Sequence, residues 1–235
     1  MRDLRDDLSS LWRKVATLEA RSGAPTLGFV AAKSGEGTTS VATSFAMMAA
    51  SRVARSAWLV DLDLHNNNAY KGLSERRISG FSNIGRAFDA SLGTPQIYDV
   101  TPPIGTPIEG RGAPMRKLLA VHPAEGSRLL VTRFRSERLQ PGQRVSLRSQ
   151  PEWWDALRKV TDWVVVDMPA LERSSGALTA VNQMDGVVLV VSADKTTSDE
   201  IEALQQEVES YGGQVLGVVL NHHKNDARLL ERLIP

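Results

Sequence analysis

Phe29-Val30-Ala31-Ala32-Lys33-Ser34-Gly35-Glu36-Gly37-Thr38-Thr39-Ser40 decides the fold of this 235-residue chain. It follows an apolar strand and opens a helix, the setting that a phosphate-binding loop requires. Glycines let successive backbone N–H groups converge on one point, and the N-terminus of the following helix adds partial positive charge. A hydroxyl at the helix start, here Thr39, can ligate a magnesium ion that bridges β- and γ-phosphates. Against the pattern [AG]-x4-G-K-[ST], residues 32–39 match at every fixed position but one, because Thr38 stands where the lysine belongs. Losing that charge weakens phosphate binding, and Lys33 can replace it only in part. Taken alone, the stretch also fits a strand–turn–helix corner whose glycines serve only the turn.

Working outward, two more segments bear on that choice. Trp58-Leu59-Val60-Asp61-Leu62-Asp63 puts two carboxylates at the C-terminal end of an apolar strand, and Val164-Val165-Val166-Asp167-Met168-Pro169 puts one at another. In an open parallel sheet, ligands bind beyond the carboxyl ends of the strands. Asp61, Asp63 and Asp167 facing a glycine loop form a hard-oxygen shell suited to magnesium, and one of them can take a proton from an attacking hydroxyl. Any one acid reads equally well as a turn-former; three in register with a phosphate loop do not.

The wider pattern is apolar strand then helix. Strands are predicted at 27–31, 57–61, 128–132, 163–167, 186–192 and 214–220, with helices near 39–52, 151–160, 174–182 and 198–211, the last capped by Ser198. Unbroken aliphatic runs such as Val187-Val188-Leu189-Val190-Val191 mark strands buried on both faces. The expected fold is a doubly wound, mostly parallel α/β sheet of P-loop NTPase type, as one domain over 26–225. An N-terminal amphipathic helix within 1–22 carries Leu4, Leu8, Leu11, Val15 and Leu18 at four- and three-residue steps, a stripe for this protein's own body or for a second chain. Residues 226–235 form a tail. Glycines and prolines over 92–126 predict a long surface loop, part of a basic insertion near 92–150. Between 101 and 150, nine Lys/Arg face three Asp/Glu, so this segment is +6 and the rest is −5. Of Trp153-Trp154, one ring is expected in the core and the other at an interface.

Composition narrows the function. The absence of cysteine excludes disulfides, Cys-ligated zinc, iron–sulfur clusters and thiol nucleophiles. A net charge of +1 gives no global basic field, and no nucleic acid is expected. No apolar run approaches the roughly 20 residues that span a bilayer, and residues 1–15 are too charged for a secretory leader. The expectation is a cytoplasmic protein that associates with a membrane through a partner. His222-His223 shows no third ligand, and no metal is expected there.

On these motifs the chain resembles the cytoplasmic domain of bacterial tyrosine autokinases, regulators of capsule and exopolysaccharide chain length and export, within the septum-site/partition class of deviant P-loop ATPases. Ser34-Gly35-Glu36-Gly37 is similar to the family's P-G-E-G loop. Leu59-Val60-Asp61-Leu62-Asp63 resembles its second acidic motif, and Val164-Val165-Val166-Asp167-Met168-Pro169 its aliphatic-Asp-x-Pro motif. Gly217-Val218-Val219-Leu220-Asn221 resembles the strand whose terminal Asn touches adenine. The resemblance implies ATP or ADP with Mg2+. Asp61 is then base and magnesium partner, Asp63 a magnesium partner, Asp167 an outer magnesium ligand and Asn221 an adenine contact. Lys33 stands where the class has a lysine that crosses a dimer. A membrane polysaccharide co-polymerase or export component is the implied partner, with a homodimer or ring as the assembly.

Four departures bear on activity. Thr38 replaces the loop lysine, His65 stands where the family has Arg, and the N-terminal helix lacks Glu-x-x-Arg-x-x-Arg. No tyrosine-rich acceptor tail is expected either, since the tyrosines of this sequence are Tyr70, Tyr98 and Tyr211. Loss of one charge at a phosphoryl centre costs about 10²–10³-fold in rate. The expectation is a kinase-like nucleotide-binding regulator with weak or lost autokinase activity. The alternatives are an active septum-site/partition-type ATPase that positions a membrane machine, and a tyrosine kinase acting on another protein.

Overall fold

The computed structural model describes residues 2–75, 83–101 and 117–221. The described residues form ten strands: β1 (Thr26–Val30), β2 (Ala57–Asp61), β3 (Phe88–Asp89), β4 (Tyr98–Thr101), β5 (Leu119–Pro123), β6 (Leu129–Phe134), β7 (Arg144–Leu147), β8 (Trp163–Asp167), β9 (Gly186–Ser192) and β10 (Val215–Asn221). Eight form one sheet in the order β10-β9-β1-β8-β2-β6-β5-β3, and β4 pairs with β7 in a second, antiparallel sheet. From β10 to β6 every pairing is parallel; β5 and β3 add an antiparallel edge. The six expected strands are the six parallel ones, and β2, β8 and β9 have their expected bounds.

Helices cover both faces. On one side α1 (Ser9–Val15), α2 (Thr38–Ala50) and α3 (Asn68–Ser74) pack over Leu27, Phe29, Leu59, Val165 and Val190. On the other, α4 (Pro151–Val160), a 3-10 helix at Ser175–Gln183 and α5 (Ser198–Ser210) pack over Val30, Val60, Val166 and Leu189. Every residue of β1, β2, β8 and β9 is buried. This is why those strands read as unbroken aliphatic runs, since helices exclude water from both faces.

Several local expectations are corrected. The N-terminal helix has only two turns. Leu8 occupies its N-cap position and offers no side-chain acceptor to the first N–H groups. Its stripe lies on this protein's own body: Leu4, Leu8 and Val15 are buried, and the Trp12 ring sits 5.6 Å from Phe45 and 5.4 Å from Trp163. The long loop expected over 92–126 contains β4 and β5, whose short antiparallel runs lie among glycines and prolines; its centre, 102–116, is outside the described residues. Both Trp153 and Trp154 are wholly buried, edge to face. The expected helix at 174–182 is a 3-10 helix, and Thr197 rather than Ser198 caps α5, in a capping box with Glu200. Residues 222–235, with His222-His223 and the tail, fall outside the described residues.

Candidate phosphate-binding site

β1 delivers the glycine loop to the C-terminal edge of the sheet, and α2 carries it away. Gly35 (φ 83°) and Gly37 (φ 91°) hold left-handed backbone, and Gly37 is the N-cap of α2. A side chain is strained at such angles, so these two positions require glycine. The loop stands over a cavity of about 390 Å³, within the range of small-ligand sites. Residues 33–35 and 37–40 form one wall, Asp63 and Asp167 the floor, and Asn68, Lys71, Gly72 and Glu75 the facing wall, with Arg173 at the rim. Nine of the twelve expected site residues therefore meet in one place: Lys33, Ser34, Gly35, Gly37, Thr38, Thr39, Ser40, Asp63 and Asp167.

Glu36, Asp61 and Asn221 are placed differently. Glu36 is 1% exposed and turns away from the cavity. Its carboxylate accepts from the N–H groups of Lys33 (2.9 Å) and Ser192 (3.0 Å) and from the Thr196 hydroxyl. The Asn221 amide donates to the Glu36 carbonyl at 2.8 Å. Together these two residues tie the loop to the ends of β9 and β10.

Asp61 lies beneath the cavity rather than on its wall. Its carboxylate accepts from Asp63 N–H (2.9 Å) and Ala69 N–H (3.0 Å). Asp61 and Asp167 face each other in register across β2 and β8. Burial pushes the Asp61 carboxyl up to about 7, against the lowering effect of those two N–H groups. Burial also pushes Asp167 well up, with the Asp61 charge next in weight, while the Thr39 hydroxyl donates to it and opposes the rise. Oδ1 of Asp167 is buried with no hydrogen-bond partner.

Asp63 is held from several sides. It accepts from Arg173 Nη2 at 2.9 Å, from both contacts of Asn66 Nδ2 (2.9 and 3.0 Å) and from Asn68 Nδ2 at 3.3 Å. Lys33 is likewise engaged: its ammonium meets Glu200 at 2.7 Å and the Lys195 carbonyl at 3.1 Å. Among the described residues, no group of three or more His, Asp or Glu side chains is gathered to hold a metal alone. The Thr39 hydroxyl and the unpartnered Asp167 oxygen still suit a hard cation that takes one or two protein oxygens and completes its shell with phosphate and water.

Sequence reasoning passed over Lys71, Arg173 and the run Asn66-Asn67-Asn68. That asparagine triplet, which starts three residues past Asp63, was the available signal. Asn67 adopts left-handed backbone (φ 50°), and its side chain clamps Phe134, accepting from the N–H at 2.6 Å and donating to the C=O at 3.0 Å.

A glycine loop before a helix, with strand-end acids beneath it on a parallel sheet, defines a P-loop NTPase-like domain. In overall fold the chain is similar to the VpsO kinase domain, with a TM-score of 0.60 at 17% identity over 94% of this chain and 95% of that one. It is similar to the kinase domain of the Escherichia coli tyrosine kinase ETK (TM-score 0.59, 15% identity, 94% of this chain and 76% of that one). MinD, the cell division protein of Aquifex aeolicus, shares the fold at a TM-score of 0.53 and 18% identity, over 90% of this chain and 75% of its own. In sequence, 67 residues match the tyrosine-protein kinase CpsD of Streptococcus agalactiae serotype III at 27% identity, 28% of this chain and 29% of that protein. No family model matches. The resemblance to bacterial tyrosine kinase domains thus holds for the fold. No helix among the described residues is long and apolar enough to cross a membrane.

Proposed function

We propose that this chain is a kinase-like P-loop regulator that binds ATP or ADP with magnesium and acts in bacterial exopolysaccharide or capsule biosynthesis and export, with weak or lost tyrosine autokinase activity. The observation that carries the reading is the convergence of residues 33–35 and 37–40, Asp63 and Asp167 on one cavity. A similar fold from Archaeoglobus fulgidus, a nucleotide-binding protein in complex with ADP (TM-score 0.51, 13% identity), supports the choice of ligand. Thr39, Asp63 and Asp167 are the residues that would hold magnesium, whose chemistry there is neutralisation of phosphate charge. Asn221 lies at the adenine end of this reading, bonded through its amide to the loop.

Two features support weak activity. Thr38 carries no charge. Asp61, the base implied by the resemblance, lies beneath the cavity rather than on its wall, with its carboxylate bonded to the N–H groups of Asp63 and Ala69. The output of such a chain is contact with a partner, a membrane polysaccharide co-polymerase or export component. That partner would bring a cytoplasmic domain, over 26–225, to the membrane as a homodimer or ring.

Melting the protein with and without magnesium-ATP tests binding, because a ligand of the folded state alone raises the midpoint. An unchanged midpoint at millimolar nucleotide would sink the reading. Radiolabel transfer from ATP to a tyrosine, lost in Asp61→Ala, would instead establish an active kinase. ATP-dependent dimerisation lost in Lys33→Ala would establish the partition-type ATPase that the MinD likeness keeps in view.

A further inference from the structure

The geometry points to Lys71 of α3 as the cation that takes the place of the missing loop lysine on the phosphate chain of the ligand. This rests on the nucleotide-binding reading and deepens it. Among the described residues, three cationic side chains line the cavity: Lys33, Lys71 and Arg173. Two are engaged, Lys33 by Glu200 and the Lys195 carbonyl, and Arg173 by Asp63. The Lys71 ammonium has no hydrogen-bond or ion-pair partner among the described residues, and its side chain is exposed.

Its position is built rather than incidental. Asn68, Lys71, Gly72 and Glu75 recur at helical spacing and face the cavity, while Ala69 and Leu73 on the opposite side are buried in the core. The start of α3 is held by the Asn67 clamp on Phe134 and by the Ala69 N–H on Asp61. Gly72 adds no side chain to block the space next to Lys71. A flexible four-carbon stem ending in a compact charge then reaches the phosphates from the wall facing the loop. Because the charge of Arg173 is taken up by Asp63 and that of Lys33 by Glu200, a triphosphate needs an uncommitted cation there.

Magnesium-ATP, inorganic tripolyphosphate and adenosine are titrated calorimetrically against the full chain and against Lys71→Ala and Lys71→Arg, with circular dichroism of each variant as the folding control. Lys71→Ala is expected to weaken magnesium-ATP and tripolyphosphate by about tenfold or more, the scale of a lost hydrogen bond to a charged group. Adenosine affinity is expected to stay the same, and Lys71→Arg to keep most of the phosphate affinity. Equal magnesium-ATP affinity in wild type and a folded Lys71→Ala overturns the role of Lys71 and leaves the nucleotide reading standing. Equal loss of adenosine and tripolyphosphate also overturns it, since that marks a collapsed wall. A wild-type chain that binds none of the three overturns both.

Discussion

The loop wall of the cavity, residues 33–40, and the facing wall, residues 62–75, are each held by polar side chains that point away from the cavity. They differ in what they hold on to. The loop wall hangs from β9 and β10 through Glu36 and Asn221, two strands on one side of β1. The facing wall hangs from β2 and β6 through Asp61 and Asn67, on the other side. The cavity therefore spans the two halves of the sheet, and each wall can be loosened without touching the other. The difference also separates two kinds of residue: those that line the cavity, and those such as Glu36, Asn67 and Asp61 that give its walls their shape.

The strongest way to break the contrast is Glu36→Ala. It strands the buried N–H of Ser192 and frees the loop, and should cost about 3 kcal/mol in urea unfolding. Ligand affinity should fall with it although Glu36 does not line the cavity; a change under about 0.5 kcal/mol, the range of an ordinary surface substitution, would refute the anchoring role. Asn67→Ala should cost about 2 kcal/mol, through two lost backbone hydrogen bonds and a left-handed residue without a short polar side chain. Asn67→Gly should recover part of that, because glycine restores the backbone freedom but not the clamp on Phe134.

Between the walls, the carboxyl pair predicts a pH dependence. The Asp61 carboxyl is raised from the usual 3.8 to about 7 in the folded chain. Between those values the folded state holds a proton that the unfolded chain has released. Its contribution to stability is complete below about pH 4 and is lost as the pH rises through about 7. Asp167, raised for the same reason, adds in the same direction. Asp167→Asn should therefore raise the stability at pH 8 by about 1 kcal/mol and flatten the fall between pH 5 and 8, measured by urea titration at each pH. A variant whose profile parallels the wild type would show that the pair does not carry the dependence. The smallest effect is expected at the part-exposed Lys33–Glu200 pair: Glu200→Gln should leave the urea midpoint the same as in the wild type, because solvent screens a pair about a third exposed on each side.

The parallel half of the sheet was legible because its physics is local. A strand covered on both faces must be apolar at every position, so β2, β8 and β9 announced themselves as runs, and a glycine loop must follow β1 wherever backbone N–H groups converge. β3, β4 and β7 gave no such signal, since short antiparallel edge strands are partly exposed and their sequences mix polar with apolar. Asp63 and Asp167 were readable as strand-end acids, whereas Lys71 and Asn67 belong to a seven-residue helix and a left-handed turn whose direction depends on Phe134, 67 residues further on.

Spacing along the chain was enough to place the phosphate loop, the acids and the order of strands, because hydrogen-bond geometry and burial act within a few residues of each. Which way each polar side chain turned was decided only when distant strands came together. Glu36 went to β9 and Asp61 to α3 because buried N–H groups left without an acceptor cost more than either residue gains by facing the cavity, and Asn221 went to the loop because its amide supplies the Glu36 carbonyl with a donor.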